Sequence, residues 1–133
     1  MTRFWISLEE GVELVIKALK DSRGGETYIS KIPSFKITDL AKALNPECKT
    51  IEVGIREGEK LHEIMITEED DCRTYEYEKH YIIYPHYDWF EKENILSGGK
   101  LVESGFSYSS GNNKVFLSVD EIRKRLITDI DEH

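Results

Sequence analysis

The sequence predicts a small α/β domain. Three observations carry that prediction: two capping boxes that open helices, an apolar set at helical spacing, and short β-rich runs bounded by glycine and proline. The 133 residues suit one domain with a modest core and are too few for two ordinary ones.

Ser7-Leu8-Glu9-Glu10 sets a serine hydroxyl three residues before a glutamate and starts the first helix. Leu8, Val12, Val15, Ile16 and Leu19 then fall on one face. Arg23-Gly24-Gly25 ends the helix, since glycine accepts the left-handed conformation of a helix stop. Thr27-Tyr28-Ile29-Ser30 reads as a strand, and Pro33 breaks it. Thr38 to Leu44 reads as a second helix closed by Asn45-Pro46, and Thr50 to Ile55 as a strand. Helix, strand, helix, strand is the alternation of α/β proteins. Lys60 to Met65 fits either a helical turn or an extended stretch. Arg73 to Tyr77 and His80 to Tyr84 read as strands, ended by Pro85. Residues 86–117 hold few helix signals, with turn clusters at Ser97-Gly98-Gly99 and Ser109 to Asn113. So long an irregular stretch suggests an extension that wraps over another surface. Ser118-Val119-Asp120-Glu121 is the second capping box, opening a final helix with Ile122 and Leu126 inward and a frayed end from Asp129 to His133.

A net charge of -8 argues against a nucleic-acid or anionic-membrane surface, since both call for a basic face. A mean hydropathy of -0.49 with 33% charged residues describes a polar, soluble chain. Cys48 and Cys72 match no metal-ligand spacing, and without a secretory signal they read as reduced thiols of a cytoplasmic protein. No apolar run approaches a membrane span.

The chemistry-bearing stretch is Gly54-Ile55-Arg56-Glu57-Gly58-Glu59-Lys60-Leu61-His62-Glu63. Arginine's planar fork matches phosphate oxygens, a carboxylate accepts from paired ribose hydroxyls, and glycine permits a sharp turn between them. By pattern alone, a charged turn after a strand is more often a solvated turn. His62-Glu63 does not extend to a zinc-protease motif, because Ile66 stands where the second histidine belongs. His62 reads as a packing or hydrogen-bonding residue.

Three stretches follow one another in order: Met1 to Ile6, Lys31 to Ala41, and Arg56 to Glu63. With them the chain resembles the C-terminal, substrate-binding part of bacterial polysaccharide-biosynthesis nucleotide-sugar 4,6-dehydratases and 4-epimerases, which are extended short-chain dehydrogenase/reductases. The likeness is to inverting UDP-N-acetylglucosamine 4,6-dehydratases and capsular epimerase/dehydratases. It covers residues 1 to about 90. From Tyr75 to about Leu126, including Phe106 to Ser110 and Asn112-Asn113, the chain is similar to the C-terminal extension of capsular members.

The resemblance implies a substrate-binding domain over 1–90 and an extension with a terminal helix over 91–133. It implies that Arg3 and Arg56 hold the diphosphate and Glu59 the uridine ribose of a UDP-sugar. Phe4 departs from the aspartate that epimerases often carry there, which agrees with the inverting branch. An N-terminal Rossmann domain, NAD(P) in the full-length enzyme and homo-oligomers are the further implied partners.

The cofactor belongs to that other domain, because the chain has no glycine-rich pyrophosphate turn and no acid/base cluster. Tyr75-Glu76-Tyr77-Glu78-Lys79 matches the Tyr-x-x-x-Lys pattern of the short-chain dehydrogenase site. It alternates like a strand, however, and so sends tyrosine and lysine apart. No residue of this chain is assigned a catalytic or metal-binding role. The expected function is the UDP-sugar-binding part of the dehydratase. A 4-epimerase part, or a non-catalytic remnant of a split gene, is the alternative.

Overall fold

The computed structural model describes residues 1–87, 90, 93 and 95–131. In order the elements are β1 (Thr2–Phe4), α1 (Leu8–Asp21), β2 (Thr27–Ser30), β3 (Ser34–Lys36), α2 (Ile37–Leu44) and β4 (Ile64–Ile66). A 3-10 helix (Glu68–Arg73), β5 (Thr74–Glu76), β6 (His80–Ile83), β7 (Lys100–Leu101), β8 (Tyr108–Ser109) and α3 (Val119–Asp131) follow. Among the described residues the strands form three sheets, ordered β1-β3, β2-β6-β5-β7 and β4-β8. The mixed α/β class is as expected. The frayed end expected from Asp129 meets a helix that runs to Asp131, and residues 132 and 133 lie outside those described.

The chain forms two compact units, each assembled from separate stretches. The first joins Met1–Ser7, Ile32–Ile64 and Ser109 onward. Here β1 pairs antiparallel with β3, with Arg3 opposite Phe35. The core is Phe35, Ala43, Leu117 and Ile122, flanked by Trp5, Leu40, Val119 and Leu126. Ile122 and Leu126 thus point inward, and α3 packs on α2. The Ser118 box closes as its spacing predicts. The Ser118 backbone N–H donates to Glu121 Oε2 at 2.8 Å, and the Glu121 N–H returns to Ser118 Oγ at 3.3 Å.

The second unit holds Leu8–Lys31 and Met65–Tyr108. Its antiparallel sheet sets β6 between β2 and β5, with Ser30 opposite His80 and Tyr75 opposite Ile82. All four residues of β6 are buried. Tyr75 lies on a strand and Lys79 in the turn after it, so the Tyr-x-x-x-Lys pattern has no helical face to share.

One expectation from the sequence is corrected. Thr50 to Ile55 forms no strand, and all six residues are exposed. No strand among the described residues pairs with this stretch, and a β-prone sequence without a ladder partner stays irregular. The apolar set of α1 shares one face as its spacing predicts, and that face is exposed: Leu8, Val12, Val15, Ile16 and Leu19 are 46–78% accessible. Gly11, Leu14 and Ala18 form the half-buried face instead, and α1 packs on β2. The charged residues Glu9, Glu10, Glu13, Lys17 and Lys20 form the remaining side, so the apolar arc of α1 is broad and only its edge of Gly11, Leu14 and Ala18 is half-buried.

Candidate functional site

The motif residues all lie in the first unit. Residues 49–60 are irregular and mostly exposed, and the motif turn is built within them. The Glu59 N–H donates to the Arg56 carbonyl at 3.0 Å. Gly58, third of the four turn residues, has φ +79, which a side chain rarely adopts. The Glu59 carboxylate also closes back on the Arg56 N–H at 3.1 Å through Oε2. Arg56 and Glu59 are therefore brought together, as the sequence predicts. Among the described residues the Arg56 guanidinium has no hydrogen-bond or ion-pair partner, which leaves its donors available.

Arg3 is placed differently. It sits half-buried on β1, where Nε faces Glu63 Oε1 at 3.3 Å and Nη1 donates to the Thr2 carbonyl at 2.6 Å. Among the described residues no hydrogen bond or ion pair joins Arg3 to the Arg56–Glu59 turn. The two are linked at one remove, because the Thr2 N–H donates to the Leu61 carbonyl at 2.9 Å. That bond ties β1 to the end of the motif loop.

His62 makes a hydrogen bond, in keeping with its sequence reading. Its Nδ1 lies 2.8 Å from Thr2 Oγ1, which in turn lies 2.8 Å from the buried Ser110 Oγ. Sequence reasoning did not single out Thr2 or Ser110. They are 108 positions apart, and no local pattern marks a serine as buried. The loop of the extension also bonds inward, with Asn113 Nδ2 donating to the Ile32 carbonyl at 2.8 Å and to Ser34 Oγ at 2.9 Å.

A cavity of about 290 Å³ lies within the second unit, lined by Arg73, Tyr75, Tyr84, His86, Tyr87 and Phe90 among others. No predicted site residue reaches it.

Comparison with known proteins gives the family of the chain. The family model described as "Polysaccharide biosynthesis protein" matches residues 1–85. The chain belongs to the polysaccharide biosynthesis protein family. The matched region contains Arg3, Arg56 and Glu59 together. An inverting UDP-N-acetylglucosamine 4,6-dehydratase of Campylobacter jejuni subsp. jejuni serotype O:2 is 50% identical over 92% of the chain, which covers 38% of that protein. A UDP-glucose 4-epimerase of Rickettsia akari is 33% identical over 96% of the chain and 39% of that protein. The X-ray structure of Pen from Bacillus thuringiensis superposes with a TM-score of 0.74 at 27% identity, over 97% of this chain and 38% of that one. The chain thus spans about two fifths of the length of these relatives.

Proposed function

We propose that these residues are the UDP-sugar-binding C-terminal part of an inverting UDP-N-acetylglucosamine 4,6-dehydratase of surface-polysaccharide synthesis. The observation that carries the reading is the 50% identity to the Campylobacter jejuni enzyme, which is higher than the 33% to the Rickettsia akari epimerase. The epimerase is the second reading, favoured by the near-complete coverage of this chain in that match.

The geometry supports a nucleotide-binding role. The unpaired Arg56 guanidinium offers a bidentate fork to a phosphate. Glu59 keeps one carboxylate oxygen beyond its turn bond for a ribose hydroxyl. Arg3 brings a second guanidinium on β1, with Glu63 holding its orientation. Gripping the diphosphate away from the reacting carbons fixes the sugar for chemistry supplied elsewhere.

That chemistry is hydride transfer, which NAD(P) supplies when bound in the N-terminal part of such an enzyme. The residues here do not fit the cofactor. Of the strand-to-helix connections, Trp5 to Ser7 and the Lys36–Ile37 junction carry no glycine, and Ser110 to Ser118 carries Gly111 alone and no glycine-rich turn. The exposed apolar face of α1 fits burial against such an N-terminal part.

Calorimetric titration with UDP tests the reading. The chain is expected to bind UDP, and Arg56→Ala to weaken it about tenfold or more, about 1.4 kcal/mol. An unchanged Kd in both Arg56→Ala and Arg3→Ala would remove the diphosphate assignment.

A further inference from the structure

We infer that Thr2, His62 and Ser110 form a positioning cluster that holds the motif loop against β1, so that Arg3 and the loop act as one anion-binding surface. The inference rests on the diphosphate reading above. It adds three residues from three distant stretches of sequence, and none of them is assigned to contact the ligand.

The bonds converge on one point. Ser110 is fully buried and Thr2 is 6% exposed. Ser110 Oγ accepts the Glu63 N–H at 2.9 Å, and the Ser110 N–H donates to the Glu63 carbonyl at 2.8 Å. Glu63, at the end of the motif loop, is therefore clamped through both backbone groups by one residue. The same Ser110 Oγ lies 2.8 Å from Thr2 Oγ1 and 3.2 Å from the Thr2 carbonyl. That carbonyl also accepts from Arg3 Nη1. The Arg3 guanidinium is thus bounded by Glu63 on one side and the Thr2 carbonyl on the other, and Ser110 bonds to both residues.

Hydroxyl chemistry gives the cluster a sense. Each hydroxyl carries one proton to donate. Ser110 donates its proton to the Thr2 carbonyl at 3.2 Å, so in the arrangement that also uses the two 2.8 Å contacts Thr2 donates to Ser110 Oγ and accepts from His62 Nδ1. Packing supports the same placement. A Cβ built on Gly111 would lie 2.7 Å from His62 Cγ and Nδ1, so the residue after Ser110 has to be glycine for the ring to stay where it is.

Removing a partner leaves a buried hydroxyl unsatisfied and releases the loop. Thr2→Val keeps the shape and deletes the hydroxyl, whereas Thr2→Ser keeps the hydroxyl. Ser110→Ala deletes the clamp directly. Three readouts are taken on each folded variant: the Kd for UDP, amide exchange over Arg56 to Glu63, and the His62 ring-nitrogen NMR shifts. Thr2→Val and Ser110→Ala are expected to weaken UDP about fivefold to tenfold and to speed exchange in the loop. Thr2→Val is also expected to shift the His62 nitrogens, and Thr2→Ser to restore all three readouts. A merely structural role would lower stability without this rescue pattern.

Faster exchange with an unchanged Kd overturns the inference, as does unchanged exchange in both Thr2→Val and Ser110→Ala. If the parent chain binds no UDP, the diphosphate reading fails by itself. The exchange rates then decide whether the cluster holds the loop.

Discussion

His80 on β6 shows what a single buried residue does to the behaviour of this chain. Its ring stacks on Tyr77 at 4.9 Å and faces Tyr28 at 6.0 Å. Its Nε2 and the Tyr28 hydroxyl are buried without a hydrogen-bond partner among the described residues. Burial lowers the His80 pKa below its ordinary 6.5, and Lys17 and Lys31 add to the effect while Asp21 opposes it. Burial likewise pushes the Tyr28 hydroxyl up to about 12. A histidine depressed in this way binds fewer protons folded than unfolded between its two pKa values. Its stabilising contribution is complete above 6.5 and is lost as the pH falls from there towards the folded value. Thermal melts from neutrality to about pH 5 should therefore fall less steeply in His80→Phe than in the parent. At neutral pH the variant should be at least as stable, because it removes an unsatisfied buried nitrogen. Equal slopes would mean that His80 titrates alike in both states. At the motif, Arg56 and Glu59 were legible because they share one turn. The Glu63 clamp was not, because Ser110 and Thr2 come from opposite ends of the chain.

The elements differ in how much of their fate is local. The α3 start was readable because a capping box needs only four consecutive residues. Its hydroxyl satisfies an N–H that the helix would otherwise leave open. Ser118→Ala should cost about 1 kcal/mol, a few degrees in Tm, measured by thermal circular dichroism. A change within error would mean that packing by Ile122 and Leu126, and not the cap, sets the helix start. The segment from Thr50 to Ile55 shows the opposite case. Its alternation of Ile51, Val53 and Ile55 is strand-like, yet these side chains are 84%, 79% and 59% exposed. A strand is made by its neighbour, and periodicity cannot say whether one is present. Likewise α1 was readable as a helix, but its spacing did not tell which edge of its apolar arc faces β2.

At the scale of the molecule, two compact units share one winding chain. Residues 91–133 contribute to both units, through β7 in one and α3 in the other. The exposed apolar side of α1 and the run from Ile51 to Ile55 leave much hydrophobic surface in water. Sedimentation velocity on the isolated chain should therefore show association that grows with concentration. Val15→Lys with Leu19→Lys should suppress it and change stability by no more than about 0.5 kcal/mol per site. A parent chain that stays monomeric at every concentration would show that the α1 face is tolerated in water.

The sequence by itself determined the helices, the Ser118 cap, the turn between Arg56 and Glu59 and the family, because each rests on residues close together or on motifs in fixed order. The tertiary structure alone decided which face of α1 is covered, that Thr50 to Ile55 goes unpaired, and that Ser110 fastens the motif loop to β1. Those outcomes depend on burial and on partners distant in sequence. A side chain's type and spacing state what it can bond, and only the folded chain supplies the atom it bonds to.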